Sequence, residues 1–228
     1  MIGRVRRRFS DRRLAVTAAL AALSLCVVAL IAFRVAYTHA VTHADITWNL
    51  FLAWVPFVIS LAVYDRARRG GSKTNLAPAA VIWLLFLPNA PYIVTDLRHI
   101  GSNTGVPGLY DALLLAGAAA TGLLLGLVSL LLMHDVARRL LGAAAAWSGV
   151  AAVIVLSSFG IYVGRVERWN SWDVFVRPES LLGQIARAAV DPLAHPKPLA
   201  AMFLFACFLS ACYLAFYAFA RSSSLLSD

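Results

Sequence analysis

The chain has 228 residues, of which 61% are hydrophobic and only 14% charged, with a formal net charge of +9. A water-soluble domain of this length covers its surface with roughly a quarter of its residues charged, so the composition excludes a soluble globular protein and implies an integral membrane one. The positive charge does not make nucleic acid a partner, because the basic residues flank apolar runs and form neither a reading helix nor an aromatic sheet.

A helix needs about 20 predominantly apolar residues to cross the hydrocarbon core. Segments that meet this are Leu14–Tyr37, Thr47–Tyr64, Leu76–Thr95, Tyr110–Met133, Ala145–Gly164 and Leu199–Ala220. The predicted fold is all-α, a polytopic six-span bundle forming one domain over residues 14–220, with a basic segment 1–13 before it and a tail 221–228 after it. The start, MIGRVRRRFSDRRL, resembles a signal sequence with a twin-arginine element, but its apolar run is longer than a signal core and further spans follow. An uncleaved first helix is the expectation.

The second span is the shortest and contains Pro56, which predicts a kink. The third contains Pro88-Asn89-Ala90-Pro91. Proline cannot donate to the carbonyl four residues back, so the helix must kink or open where Leu84 and Leu87 lose their donors. Asn89 is the local candidate to satisfy the exposed backbone, since hydrocarbon tolerates open backbone only where protein or a wet cavity compensates. Spans four and five carry Gly122/Gly126 and Gly160/Gly164, pairs that let backbones approach closely and predict a tight contact involving these spans. In the long segment that follows, PESLLGQIARAAV predicts a helix near 178–190. Its apolar face, with Leu181, Leu182 and Ile185, suits the membrane interface. Cys26, Cys207 and Cys212 all lie within apolar runs, which predicts small buried side chains and no disulfide.

Orientation follows from basic residues on alternate sides. One side collects the arginines of RVRRRFSDRR, then Arg66, Arg68, Arg69, Lys73, Arg138, Arg139 and Arg221. The other holds Arg98, Arg165, Arg168, Arg177, Arg187 and Lys197, diluted by Glu167, Asp173, Glu179 and Asp191. Both termini are therefore expected in the cytoplasm.

With that topology the unusual polar residues gather at the outer face: Asp45, Trp48 and Asn49; Asn89, Tyr92, Asp96 and His99; Tyr110 and Asp111; and Tyr162, Arg165, Arg168, Trp169, Asn170, Trp172 and Asp173. Asn89, Tyr92, Asp96 and His99 form one stripe if the helix persists through them, as do Ser158, Tyr162, Arg165 and Trp169 on span five. Tyrosine, tryptophan and arginine also serve as interface anchors in any membrane protein. That explanation serves less well for Asn89, Asp96 and Asp111, because acids and amides near hydrocarbon are costly and usually face the bundle interior. Asp96 or Asp111 is expected to pair with Arg165 or Arg168.

Three stretches, WNLFLAWVPF (48–57), LFLPNAPYIVTDLRH (85–99) and GIYVGRVERWNSWD (160–173), together resemble the DUF1361 family of bacterial and archaeal membrane proteins. The resemblance runs from about Trp48 to Asp173 and includes Tyr110-Asp111. It implies a multi-span membrane protein with no established activity and supplies no catalytic residues; the cytoplasmic membrane of a bacterium or archaeon is the expected location.

The leading functional reading is a binding or scaffold protein whose outer-face pocket takes a lipid headgroup or small polar ligand through Asn89, Tyr92, Asp96, Tyr110, Arg165, Arg168, Trp169, Asn170, Trp172 and Asp173. Membrane lipids are the expected partners, a homo-oligomer is left open, and neither cofactor nor metal is assigned. The alternatives are a membrane-embedded enzyme using Asp96, His99 and Asp111 as acid/base groups, with His39, His43 and Asp45 as further ligands if a metal is used, and an oligomeric transporter. No nucleophile motif, phosphate loop or HExxH is present. Transport is disfavoured by the one-sided polar groups, since transporters usually bind near the midplane.

Overall fold

Long apolar runs separated by short polar turns leave the backbone few solutions, and helices satisfy their own hydrogen bonds without water. The computed structural model describes residues 2–41, 43–101, 105–166 and 196–222, and among these no strand occurs. In chain order the helices are α1 (Ile2–Thr38), α2 (Ala44–Arg68), α3 (Lys73–Phe86), the single turn α4 (Asn89–Tyr92), a 3₁₀ helix over Ile93–His99, α5 (Gly108–Leu141), α6 (Ala143–Val166) and α7 (Pro196–Ser222).

Six stretches are long and apolar enough to cross a membrane: Arg13–Thr38, Asp45–Arg68, Lys73–His99, Gly108–Leu141, Ala143–Tyr162 and Leu199–Ser222. They coincide with the six predicted spans, with most ends a few residues longer and the fifth ending two residues earlier. The exception is α5, whose 34 residues extend about 51 Å at 1.5 Å per residue. The predicted helix near 178–190 lies outside the described residues.

The third stretch is three elements instead of one helix. Ser72 caps α3, its hydroxyl accepting from the Asn75 amide at 3.4 Å, and the helix stops at Phe86, before the first of the two prolines. Asn89 Nδ2 donates to the Phe86 carbonyl at 2.9 Å, so the asparagine satisfies backbone that the break exposes. Pro56 has a milder effect, for α2 continues through it. Turns close the longer helices: α5 ends at Gly142, whose φ of 91° lies in the left-handed region and whose amide reaches the Arg138 carbonyl at 3.2 Å.

The chain divides into two compact units, residues 1–54 with 90–125, and residues 55–89 with 126–228. In the first, Val27, Ile31, Ile46, Leu50, Ile93, Leu114 and Ala118 are buried. Polar ties link its helices: Trp54 Nε1 donates to Ser24 Oγ at 3.0 Å, Ser24 donates to the Leu20 carbonyl at 2.9 Å, and the Tyr110 hydroxyl donates to the Leu30 carbonyl. In the second, Val63, Tyr64, Leu76 and Val136 form a buried cluster. Trp83 Nε1 there donates to Ser129 Oγ at 2.7 Å, and Ser129 donates to the Pro56 carbonyl at 3.0 Å.

Two glycines predicted to promote close packing do so, but with a different partner. A Cβ on Gly122 would stand 2.5 Å from the Ala90 carbonyl oxygen and 2.8 Å from Ile93 Cδ1, within the first unit. One on Gly160 would stand 2.8 Å from Pro88 Cγ, within the second. Each close approach is to the interrupted third span, whose irregular backbone and proline ring need room that a side chain would fill. The cysteines depart from the expected burial: Cys26 and Cys207 are exposed and Cys212 is half-buried, all three as free thiols.

Candidate functional site

The polar centre of the first unit begins with Arg34, one turn before the end of α1. Arg34 Nε lies 2.8 Å from Asp111 Oδ1 and Nη2 lies 3.3 Å from Asp111 Oδ2, a side-on pair in which both side chains are 1% exposed. The carboxylate also complements its own helix, for it sits in the first turn of α5, where the dipole end favours it. Thr38 Oγ1 donates to the Arg34 carbonyl at 2.8 Å and so closes the end of α1. The third nitrogen, Arg34 Nη1, is buried and has no hydrogen-bond partner among the described residues.

Around this pair stand the residues of the neighbouring helix ends. Tyr110, beside Asp111, reaches back to α1 through its hydroxyl and packs its ring 6.0 Å from that of Phe33. His43 is 8% exposed and its ring lies 6.4 Å from that of His99. Burial pushes the His43 pKa below the usual imidazole range, and Arg34 and His99 act in the same direction against the opposing pull of Asp111 and Asp45. His99 Nε2 accepts from Arg98 Nε at 3.1 Å. The arrangement offers a fixed cation, a carboxylate that holds it, and an imidazole favoured in its neutral form.

Several expectations change here. Asp111 pairs with Arg34, a partner the sequence reading did not consider, because the first turn of α5 meets α1 near its end. Asn89, Tyr92, Asp96 and His99 do not share a helical stripe, since the chain switches at Ile93 to a 3₁₀ helix. With about three residues per turn, Ile93, Asp96 and His99 align instead, while Tyr92 falls on another face. Ile93 is fully buried and Asp96 is 3% exposed; Tyr92, Asn89 and His99 are half-buried. His39 and His43 share no helix face, because α1 ends at Thr38 and both histidines have left-handed backbone, with φ of 52° and 65°. Among the described residues no group of three or more His, Cys, Asp or Glu side chains is placed to hold a metal ion. Arg165 lies half-buried at the end of α6, whereas Arg168, Trp169, Asn170, Trp172 and Asp173 lie outside the described residues.

Sequence reasoning passed over Arg34, although the signal was available: it is the sole charged residue between Leu14 and Tyr37. A charge within an apolar run long enough to span a membrane calls for a named partner. His134 was passed over as well, because the fourth span was ended one residue before it. It is 2% exposed, and its Nδ1 lies 2.6 Å from the Tyr213 hydroxyl.

Comparison with known proteins gives a family without an activity. Residues 48–216 match the family described as a protein of unknown function, DUF1361, so the match continues well past Asp173. No curated protein and no solved structure matches the chain.

Proposed function

This chain belongs to the DUF1361 family, and we propose that it is a multi-pass membrane protein binding a lipid headgroup or small polar ligand at a site centred on Arg34. The observation that carries this reading is the state of that guanidinium. Two of its nitrogens are fixed by Asp111, and the third is a buried donor with no protein acceptor among the described residues. Buried donors left without acceptors are rare and costly, and arginine cannot relieve the cost by losing its proton. A ligand oxygen at Nη1 relieves it, whether phosphoryl, carboxylate or carbonyl, while Tyr110 and His43 supply polar walls.

The basic residues favour a topology with both termini in the cytoplasm, and the family resemblance favours the cytoplasmic membrane of a bacterium or archaeon. In that topology the Arg34 site faces outward. Reporter fusions at the two termini and in the loop after His99 test the topology, and a cytoplasmic signal from that loop would reverse it.

The binding reading is tested by native mass spectrometry of the purified full chain, comparing wild type with an Arg34→Met/Asp111→Leu double variant. The double variant removes the donor without stranding a charge, so it is expected to remain folded and to lose the bound molecule. If the folded double variant carries the same bound species in the same amount, the site is not at Arg34.

A further inference from the structure

Within the second unit, α5, α6 and α7 bring together a cluster around a histidine that the Arg34 site does not use. His134, on α5, is 2% exposed. Three rings surround it: Trp147 meets it edge-on at 4.6 Å, Tyr217 lies parallel to within 26° at 5.4 Å, and Tyr213 lies tilted at 6.0 Å. Its Nδ1 is 2.6 Å from the Tyr213 hydroxyl, whereas its Nε2 is buried with no hydrogen-bond partner among the described residues. Tyr213 is buried and makes no other hydrogen bond among the described residues. These contacts select the tautomer. If Nδ1 carried the proton, the buried phenol O–H and the Nε2 lone pair would both go unmet. If Tyr213 donates to Nδ1, the imidazole proton rests on Nε2 and a single buried N–H is left over. The second arrangement strands fewer groups, and a buried donor without an acceptor is still rare and costly.

We propose that His134 Nε2–H is the donor of a second ligand site, one that takes a carbonyl oxygen of a molecule dissolved in the bilayer. A carbonyl meets the donor without bringing a charge into an aromatic enclosure, where charge is expensive. Tyr213 holds the proton on Nε2, since the partner of one ring nitrogen dictates the state of the other. Trp147, 37% exposed, is the most open of the four rings and forms the side from which a ligand approaches. If α5 is centred on the bilayer, His134 lies about 14 Å from the midplane at 1.5 Å per residue, at the edge of a hydrocarbon half-thickness of about 15 Å. Two kinds of bilayer molecule present a carbonyl there: a quinone through its ring, and a phospholipid through its acyl esters. The site does not depend on the Arg34 reading, which concerns a charged donor in the other unit.

The test is thermal unfolding of the full chain with paired probes that do and do not carry a carbonyl. Menadione is compared with methylnaphthalene in detergent, and diester with diether phosphatidylcholine in nanodiscs. In the wild type a carbonyl-bearing probe is expected to raise the melting temperature above its counterpart by about 2–4 °C, the scale of one net hydrogen bond in a chain of this size. A gain with menadione assigns a quinone, and a gain with the diester lipid assigns an acyl ester. His134→Phe alone strands the Tyr213 hydroxyl, so the variant of choice is His134→Phe/Tyr213→Phe, which removes both polar groups and keeps the rings. It is expected to fold and to lose the gain. His134→Met serves the same purpose if the double variant fails to fold, since a thioether accepts weakly from Tyr213 and donates nothing. Equal melting with and without the carbonyl in both pairs of probes would overturn the proposal from the wild type alone. An undiminished gain in the folded variant would overturn it as well, because the carbonyl would then be met elsewhere.

Discussion

Breaking the Arg34–Asp111 pair from one side should be far more harmful than removing it altogether. The pair is 1% exposed on both sides and rests on one short contact of 2.8 Å and one longer one of 3.3 Å. Asp111→Ala leaves a guanidinium that cannot neutralise itself, and Arg34→Met leaves a carboxylate facing an apolar group. Removal of one partner from a buried pair typically costs about 3–5 kcal/mol. At roughly 2–4 °C per kcal/mol for a chain of this size, each single variant should melt about 6–20 °C below wild type. The double variant Arg34→Met/Asp111→Leu strands no charge. Apolar replacements of buried pairs are often neutral or stabilising by about 1–4 kcal/mol, so it should melt near the wild type or above. The assay is thermal unfolding in a mild detergent followed by intrinsic tryptophan fluorescence, with size-exclusion chromatography as a check of integrity. Additive losses, with the double variant worse than either single one, would refute the reasoning, as would a single variant that melts like wild type.

Other perturbations follow the same logic. Gly122→Ala should cost about 1–3 kcal/mol, as overpacking does, because its Cβ would meet the Ala90 carbonyl oxygen at 2.5 Å; the melting shift measures it. Ser129→Ala should cost about 1–3 kcal/mol, since it leaves both the Trp83 indole and the Pro56 carbonyl without this hydroxyl, and a melt indistinguishable from wild type would count against the network. His43 supplies a pH dependence. Burial lowers its pKa in the fold, so the unfolded chain takes up a proton first, below about pH 6.5. The contribution of neutral His43 is complete above that pH and is lost as the pH falls from there through the lowered folded value. Melting between pH 8 and pH 5 should show this decline, and His43→Gln should flatten it.

The fold was legible in the sequence to the extent that it depends on hydrophobic length. Six runs long enough to cross a bilayer announce six helices, and most of their ends extend because polar and basic residues continue the helix beyond the apolar run. The interruption at Pro88 and Pro91 was legible too, since a missing donor is a local fact about the residue. What followed the interruption was not. Whether the chain after Tyr92 resumes an α-helix or tightens to a 3₁₀ helix depends on tertiary packing, and that choice decides which of Tyr92, Asp96 and His99 share a face. Asp111 was recognised as a costly charge, but its partner was sought just past the end of span five, at Arg165 and Arg168.

The actual partner shows how such pairs are better sought. Sequence proximity to an interface says little about pairing, because interfacial arginines reach water and need no carboxylate. Arg34 is different: it lies one turn, about 6 Å, inside the end of α1 and is 1% exposed, so it requires a counter-charge from a helix it touches. The first turn of α5 places Asp111 against α1 at Arg34, and the Tyr110 hydroxyl on the Leu30 carbonyl fixes the contact from the preceding residue. In the proposed binding site Asp111 has two roles that ordinary mutagenesis would conflate, joining α1 to α5 and orienting Arg34 toward the proposed ligand. Arg34→Lys separates them. Lysine keeps the charge for Asp111 but lacks the planar fork that leaves Nη1 as a third donor. Such a variant should lose less stability than Arg34→Met and still lose the bound ligand. Retention of both properties by Arg34→Lys would assign Arg34 a purely structural role.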